Sequence, residues 1–352
     1  MELRVFCYRK VSLVLLSYRY LKSLKEESRQ ISIIIFYNIE KNSKKYAKNI
    51  YKDTNVCYAD AVTDIVRCDL NNGILKKWKF YLFTGAFFSI LAIFAYFDFD
   101  AALRMTPSPI TADITVGDYL CFLFGGTSAG NLPIELIDKN NIVNSMFKFS
   151  FPSIWILIYL ILLLLTLEYP YEDLMGFGKN IIILSNKIQY WWISKCIWIA
   201  ASVFVYFTIA LTCFSVTAIM LGAKANFEIG TYYPYFRFNS YDFVTEPPWN
   251  IMPTLLMLIP VGIGLGMIQL TVSMVISRLA SYLVSTAILL MSAYMQSVLL
   301  FPNVSMFARS VEVVTNGQIA WVEVIIIAWI SSICMLVGYL YLKNSDIINK
   351  HR

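Results

Sequence analysis

The sequence predicts an all-α polytopic membrane protein: six transmembrane helices, both termini cytoplasmic, and amphipathic helices at the membrane interface. Three observations carry that expectation. First, 58% of the 352 residues are hydrophobic and only 15% are charged, whereas soluble domains carry about a quarter charged residues. Second, the apolar residues gather into six runs of spanning length. Third, basic residues fall unevenly between the segments that join those runs. Residues 1–30 are basic throughout, with no separate apolar core followed by small residues, so no secretory signal is expected there.

In chain order, residues 1–78 form a cytoplasmic amino-terminal region. The stretch "RVFCYRKVSLVLLSYRYLKSLKEE" interleaves an apolar stripe with Arg4, Arg9, Lys10, Arg19 and Lys22. It reads as an amphipathic helix on the cytoplasmic leaflet, or equally as the surface helix of a small soluble subdomain. "ISIIIFYNI" is too short to span and suits a strand. Residues 79–343 form the transmembrane domain. A spanning helix needs about 20 apolar residues, and six runs qualify: Phe80–Phe97, Phe151–Leu167, Ile193–Leu221, Ile251–Ile276, Leu279–Phe301 and Ile319–Leu342. The third is long enough to tilt or project. Only Ser277 and Arg278 separate the fourth and fifth, so these pair as a tight hairpin. Residues 344–352 are a cytoplasmic tail.

With both termini inside, 23 of the 29 Lys and Arg residues face the cytoplasm, as the positive-inside rule requires. Long segments weigh less in that rule. Without residues 1–79 the balance is nearly even, but Lys76, Lys77 and Lys79 abut the first span and keep the orientation. Seven scattered cysteines include no C-x-x-C pair, so neither a disulfide framework nor a metal site is expected. The richness in Lys, Asn, Ile and Tyr suits a bacterial chain from an AT-rich genome and hence the plasma membrane. The excess positive charge lies largely in the amino-terminal region, where anionic lipid rather than nucleic acid is the nearer partner.

One motif points towards hydrolysis. Gly126-Thr127-Ser128-Ala129-Gly130 is a G-x-S-x-G, and "LFGGTSAGNLP" resembles the nucleophile stretch of patatin-like lipases. A serine triad needs a histidine, and the sole histidine, His351, falls on the other side of the membrane from Ser128 in this topology. The patatin class uses an Asp-Gly motif, which this chain lacks. The small residues are better explained as a close-packed turn after "DYLCFLFGG", an apolar segment able to dip into the bilayer without crossing. No G-x-x-x-x-G-K-[ST] is present, so no nucleotide hydrolysis by that route is expected, and no catalytic residue, cofactor or metal ligand is assigned.

The stretch from Glu168 to Lys195, "EYPYEDLMGFGKNIIILSNKIQYWWISK", is the most informative. Pro170 breaks the preceding helix, and Gly176 and Gly178 permit a turn. "NIIILSNKIQYWW" then suits an interfacial helix, with Trp191 and Trp192 anchored at the headgroups and Lys195 snorkelling. An ordinary amphipathic connector would carry the same pattern. With its Gly-rich elbow, apolar run, basic residue and W-W-x-S-K (Gly176, Gly178, Lys187, Trp191, Trp192, Ser194, Lys195), the segment resembles permease subunits of type-2 ATP-binding-cassette (ABC) exporters, in particular the Gram-positive group linked to lantibiotic and peptide export or self-immunity. The likeness covers residues 78–343 in topology and 168–200 in detail. It implies a permease that works as a dimer with the same or a similar subunit. It also implies separate ATPase subunits that hold the ATP and Mg, and an elbow that takes up their motion, with Arg278 a further contact.

Polar residues within spans tend to face a neighbouring helix or a cavity. Gln269, Thr271 and Ser273 lie in the fourth run; Ser281, Ser285, Thr286, Ser292 and Gln296 lie in the fifth. The set Gln269, Ser273, Ser281, Ser285, Ser292 and Gln296 could line a substrate path; hydrogen bonding and close packing between helices would explain it equally. Glu168 and Glu323 lie near span ends, which leaves no span centre with a proton-relay carboxylate. The aromatic loop 223–250 suits the outer interface as a belt, or else a cap over the exit or a contact for an amphiphilic substrate. Besides an exporter permease, a channel, carrier or accessory membrane protein working without ATP also fits, and a membrane serine hydrolase using Ser128 fits less well.

Overall fold

The computed structural model describes residues 58–105, 114–127, 151–176, 178, 182, 188–230, 248–311, 313 and 317–344. The chain divides into Met1–Ala61 and Val62–Arg352. Only Tyr58–Ala61 of the first unit is described, so the expected amphipathic helix and strand near the amino terminus lie outside the described residues. So do Ser128, Lys187, most of the aromatic loop and the tail from residue 345.

Nine α-helices are described: α1 (Tyr58–Gly73), α2 (Trp78–Met105), α3 (Val116–Phe124), α4 (Ser153–Leu167), α5 (Tyr169–Met175), α6 (Ile188–Met220), α7 (Met252–Val275), α8 (Arg278–Tyr294) and α9 (Ala320–Asn344). Two short strands, β1 (Glu228–Ile229) and β2 (Trp249–Asn250), pair antiparallel. Five helical stretches are long and apolar enough to cross a membrane: Thr63–Ala101, Ser153–Met175, Ile188–Met220, Met252–Val275 and Ala320–Asn344. They fit a multi-pass membrane protein.

The spans follow the hydropathy closely where apolar sequence and helix coincide. They depart from it in three places. α2 runs on to Met105, beyond the expected Phe97, and its polar extension carries an Asp100–Arg104 ion pair at 2.7 Å one turn apart. α4 and α5 meet at Glu168, with Pro170 in the first turn of α5, where a missing N–H costs nothing. α8 has 17 residues and stops at Tyr294 rather than at the expected Phe301. Residues 295–301 are apolar enough to suggest a span, but Met295 turns extended. Its carbonyl accepts from the Asn303 side-chain amide at 3.0 Å, a bond that continuing the helix would forbid.

The core is aromatic and continuous. α2 packs along α6, and α7 packs against α4, α6, α8 and α9. Tyr206 of α6 meets Phe88 of α2 edge-on at 6.1 Å and donates to the Ile158 carbonyl of α4 at 2.8 Å. α3 is the short apolar segment expected to dip without crossing. It opens on a capping box in which the Thr115 hydroxyl accepts from the Asp118 amide and the Asp118 carboxylate accepts from the Thr115 amide. The same carboxylate takes the Gly230 amide at 2.9 Å, which ties the loop after α6 to α3. Burial pushes the Asp118 carboxyl up, and these amide bonds oppose that shift.

Candidate functional site

The residues singled out around the elbow converge on one buried charge. Lys195 sits two turns into α6 and is fully buried. Its ammonium contacts Asp69 Oδ1 at 2.6 Å and Asp173 Oδ2 at 2.7 Å. Asp69 lies on α1 and Asp173 on α5, so one cation joins three helices. The carboxylates have further donors. Tyr169 Oη donates to Asp69 Oδ1 at 2.8 Å, Ser194 Oγ to Asp69 Oδ2 at 2.5 Å, and Trp191 Nε1 to Asp173 Oδ2 at 2.7 Å. The Tyr169 and Trp191 rings flank the ammonium at 4.8 and 5.3 Å from their centroids.

This geometry corrects the expectation of surface anchoring. Lys195 does not reach out to the surface, and Trp191 and Trp192 do not present their rings to the surroundings: all three are buried within the chain. The physical reason is pairing. A lysine near the end of an apolar helix reaches water only when no anion is closer, and here two carboxylates are in contact. Trp192 points the other way. Its indole N–H donates to the Met335 carbonyl of α9 at 2.9 Å, and its ring lies over Gly338. The two tryptophans thus bind the base of α6 to α5 on one side and to α9 on the other.

The other elbow residues gather at the same end. Gly178 approaches so closely that a Cβ there would run into the Asp173 carboxylate and the Trp191 indole nitrogen. Gly176 closes α5, donating to the Glu172 carbonyl at 3.0 Å. Arg278, exposed at the turn between α7 and α8, lies 4.2 Å from the centroid of the Tyr171 ring on α5. Lys77 approaches the exposed Glu172 at 4.0 Å, a contact that contributes little in water.

The expected path residues are divided among helix contacts. Gln269 donates to the Leu163 carbonyl of α4 at 2.8 Å, and Thr271 to the Cys334 carbonyl of α9 at 3.1 Å. Ser273, Ser281 and Ser292 return their hydroxyls to carbonyls three or four residues back in their own helices. Ser285 is buried, and Gln296 lies past the end of α8 at intermediate exposure. The Gln269 and Thr271 bonds join neighbouring helices, whereas the serine bonds stay within their own.

At the opposite end of the bundle, Gly126 and Thr127, the described part of the glycine motif that resembles a hydrolase elbow, pack against the segment after α8. Gly126 has φ +69°, and Met306 fills the space where a side chain would stand. The Gly125 carbonyl accepts from the Ala308 amide at 2.9 Å, and Thr127 accepts from Arg309.

Two residues were missed in the sequence. Asp69 lies in the region set apart as amino-terminal, and Arg309 lies between the fifth and sixth runs, on the external side of the expected topology. A signal for the first existed: a lysine inside an apolar helix requires a counter-charge. For Arg309 none did, because most of its partners are backbone carbonyls.

The fold and this cluster thus fit a multi-pass membrane protein with a rigidly paired base. Comparison with models of protein families, with curated proteins and with solved structures gives no match.

Proposed function

We propose that this chain is the membrane permease subunit of an ATP-driven exporter of the type-2 ABC kind, moving a peptide or another amphiphile out of a bacterial cell. It would pair with a second copy or a similar subunit in the plasma membrane and bind two separate ATPase subunits, which hold the ATP and Mg. The observation that carries this reading is the Lys195 cluster. A permease without its own ATPase must receive motion from one, and that motion must reach the spans through something stiff. α5, the elbow, is too short to be rigid alone. Through Asp173 and Asp69 it shares one buried cation with α1 and with the base of α6, a helix of 33 residues and about 50 Å. A push on α5 is therefore a push on α6. Arg278 against Tyr171 brings the α7–α8 turn to the same surface. The exposed apolar face of α9, with Trp329, Ile333 and Leu336, suits lipid or the second permease subunit.

The resemblance in residues 168–200 favours this reading over a channel or carrier working without ATP. Hydrolysis by Ser128 gains no support from a preceding turn occupied in packing. The test is purification of the tagged chain from membranes of its own organism in mild detergent. The reading expects a cassette ATPase in comparable amount and ATP hydrolysis in the pure fraction. A chain recovered in good yield with no ATPase, from cells that express one beside it, contradicts it.

A further inference from the structure

After α8 the chain returns into the bundle without forming an α-helix. Two 3-10 turns, Phe301–Ser305 and Phe307–Arg309, are buried at every residue. The first turn touches α7, α8 and α9, and Trp155 of α4 donates to Ser305 Oγ at 3.0 Å. Phe301 rests against Gly264, midway along α7. Four helices thus surround the segment, which supplies side-chain donors to the carbonyls that end α8. Exposed residues flank it, Val298 and Leu299 before and Val311 after, and beyond it Gln318 pairs with the backbone, its amide donating to the Arg309 carbonyl at 2.8 Å and its carbonyl accepting from the Val311 amide at 3.4 Å.

Buried Phe301, Val304, Met306 and Phe307 pack the segment, and among its polar side chains one makes more hydrogen bonds than any other. Arg309 is fully buried. Its Nε donates to the Thr127 carbonyl at 2.9 Å and one terminal nitrogen to Thr127 Oγ1 at 3.2 Å and the Ala293 carbonyl at 2.8 Å. The other donates to the Ser292 carbonyl and Asn303 Oδ1, and more distantly to the Met295 carbonyl at 3.4 Å. No carboxylate is among these partners. The compensating charge is that of the carbonyls ending α8, the negative end of a helix dipole. Burial pushes the guanidinium down to about 10, so it stays charged at neutral pH. A buried cation held only by neutral acceptors is stable when all its donors are matched and unstable when several are lost at once. That is the behaviour of a clasp.

We propose that Phe301–Arg309 is a removable plug in this end of the helix bundle, clasped by Arg309 to the end of α8 and to the Gly125–Thr127 turn, and that its withdrawal opens an aqueous passage between α4, α7, α8 and α9. The proposal stands independently of any ATPase.

The test uses the full chain reconstituted into vesicles of neutral and anionic phospholipid loaded with a small anionic dye, comparing wild type with Arg309→Gln, Arg309→Lys and Ser305→Ala. Hydrogen exchange on the same samples reports local opening. Arg309→Gln is expected to speed exchange in 301–309 and 125–127 by roughly tenfold or more, to leave α6 and α7 unchanged, and to raise dye efflux in parallel. Arg309→Lys, which lacks the planar fork, falls between, and Ser305→Ala gives a smaller change in the same direction. Should Arg309→Gln fail to insert, Arg309→Lys carries the test. Unchanged exchange overturns the clasp. Faster local exchange without dye efflux overturns the plug. Faster exchange throughout the bundle shows Arg309 to be ordinary core and overturns both.

Discussion

At the residue scale, burial changes what the paired tryptophans are expected to do. Interfacial anchors could be removed with little loss of stability. Trp191 and Trp192 are instead wholly enclosed, and emptying such a volume typically costs about 3–5 kcal/mol per site. Each single Ala substitution should therefore lower the unfolding midpoint in detergent markedly. Trp191→Phe keeps most of the volume and loses only the bond to Asp173, so it should cost about 1.5–3 kcal/mol. Equal midpoints for Trp191→Ala and Trp191→Phe would show that packing at this site is unimportant. The residue scale is also where the sequence was hardest to read. Lys195, Trp191 and Gly178 stood out by type and spacing, but their meaning depended on Asp69, more than a hundred positions away. No local pattern pairs residues across such a distance. Arg309 is harder still, because backbone carbonyls have no signature in a sequence.

At the scale of elements, apolar length located α4, α6, α7 and α9 within a few residues of their observed ends. It failed for α8 because hydropathy does not register how a helix ends. The run 295–301 is apolar, but Asn303 and Arg309 take the terminal carbonyls of α8. The polar residues of α7 and α8 offered two readings in the sequence, path or packing, and for Gln269 and Thr271 the bonds to carbonyls of neighbouring helices suit packing. One substitution separates the two. Gln269 Nε2 is bonded to Leu163, while its Oε1 has no partner. Gln269→Met removes both a satisfied donor and an orphaned acceptor, so packing predicts a stability change within about 1 kcal/mol and unaltered transport of whatever the complex exports. A path predicts unaltered stability with transport lost.

At the scale of the whole molecule, composition alone pointed to a multi-pass membrane protein, and five helices of crossing length agree. Orientation rests on charge counting, which the fold leaves open. Single cysteines at Gly176 and Lys224, at opposite ends of the bundle and outside the core, provide the check in intact cells. The positive-inside orientation predicts that an impermeant thiol reagent labels Lys224→Cys and spares Gly176→Cys; the reverse pattern would invert the topology and place the elbow away from any cytoplasmic ATPase.

The claim on which the account turns is that one buried cation binds α1, α5 and α6 together. Breaking a buried ion pair by removing one partner costs about 3–5 kcal/mol, whereas neutralising all partners together can be nearly free. The most direct measurement is the unfolding midpoint, in one mild detergent, of wild type, Lys195→Met and the triple variant Asp69→Asn, Asp173→Asn, Lys195→Met. The account predicts a large drop for Lys195→Met, which strands two buried carboxylates, and recovery of most of that drop in the triple variant. A Lys195→Met chain as stable as wild type, or a triple variant whose losses simply add, would contradict it.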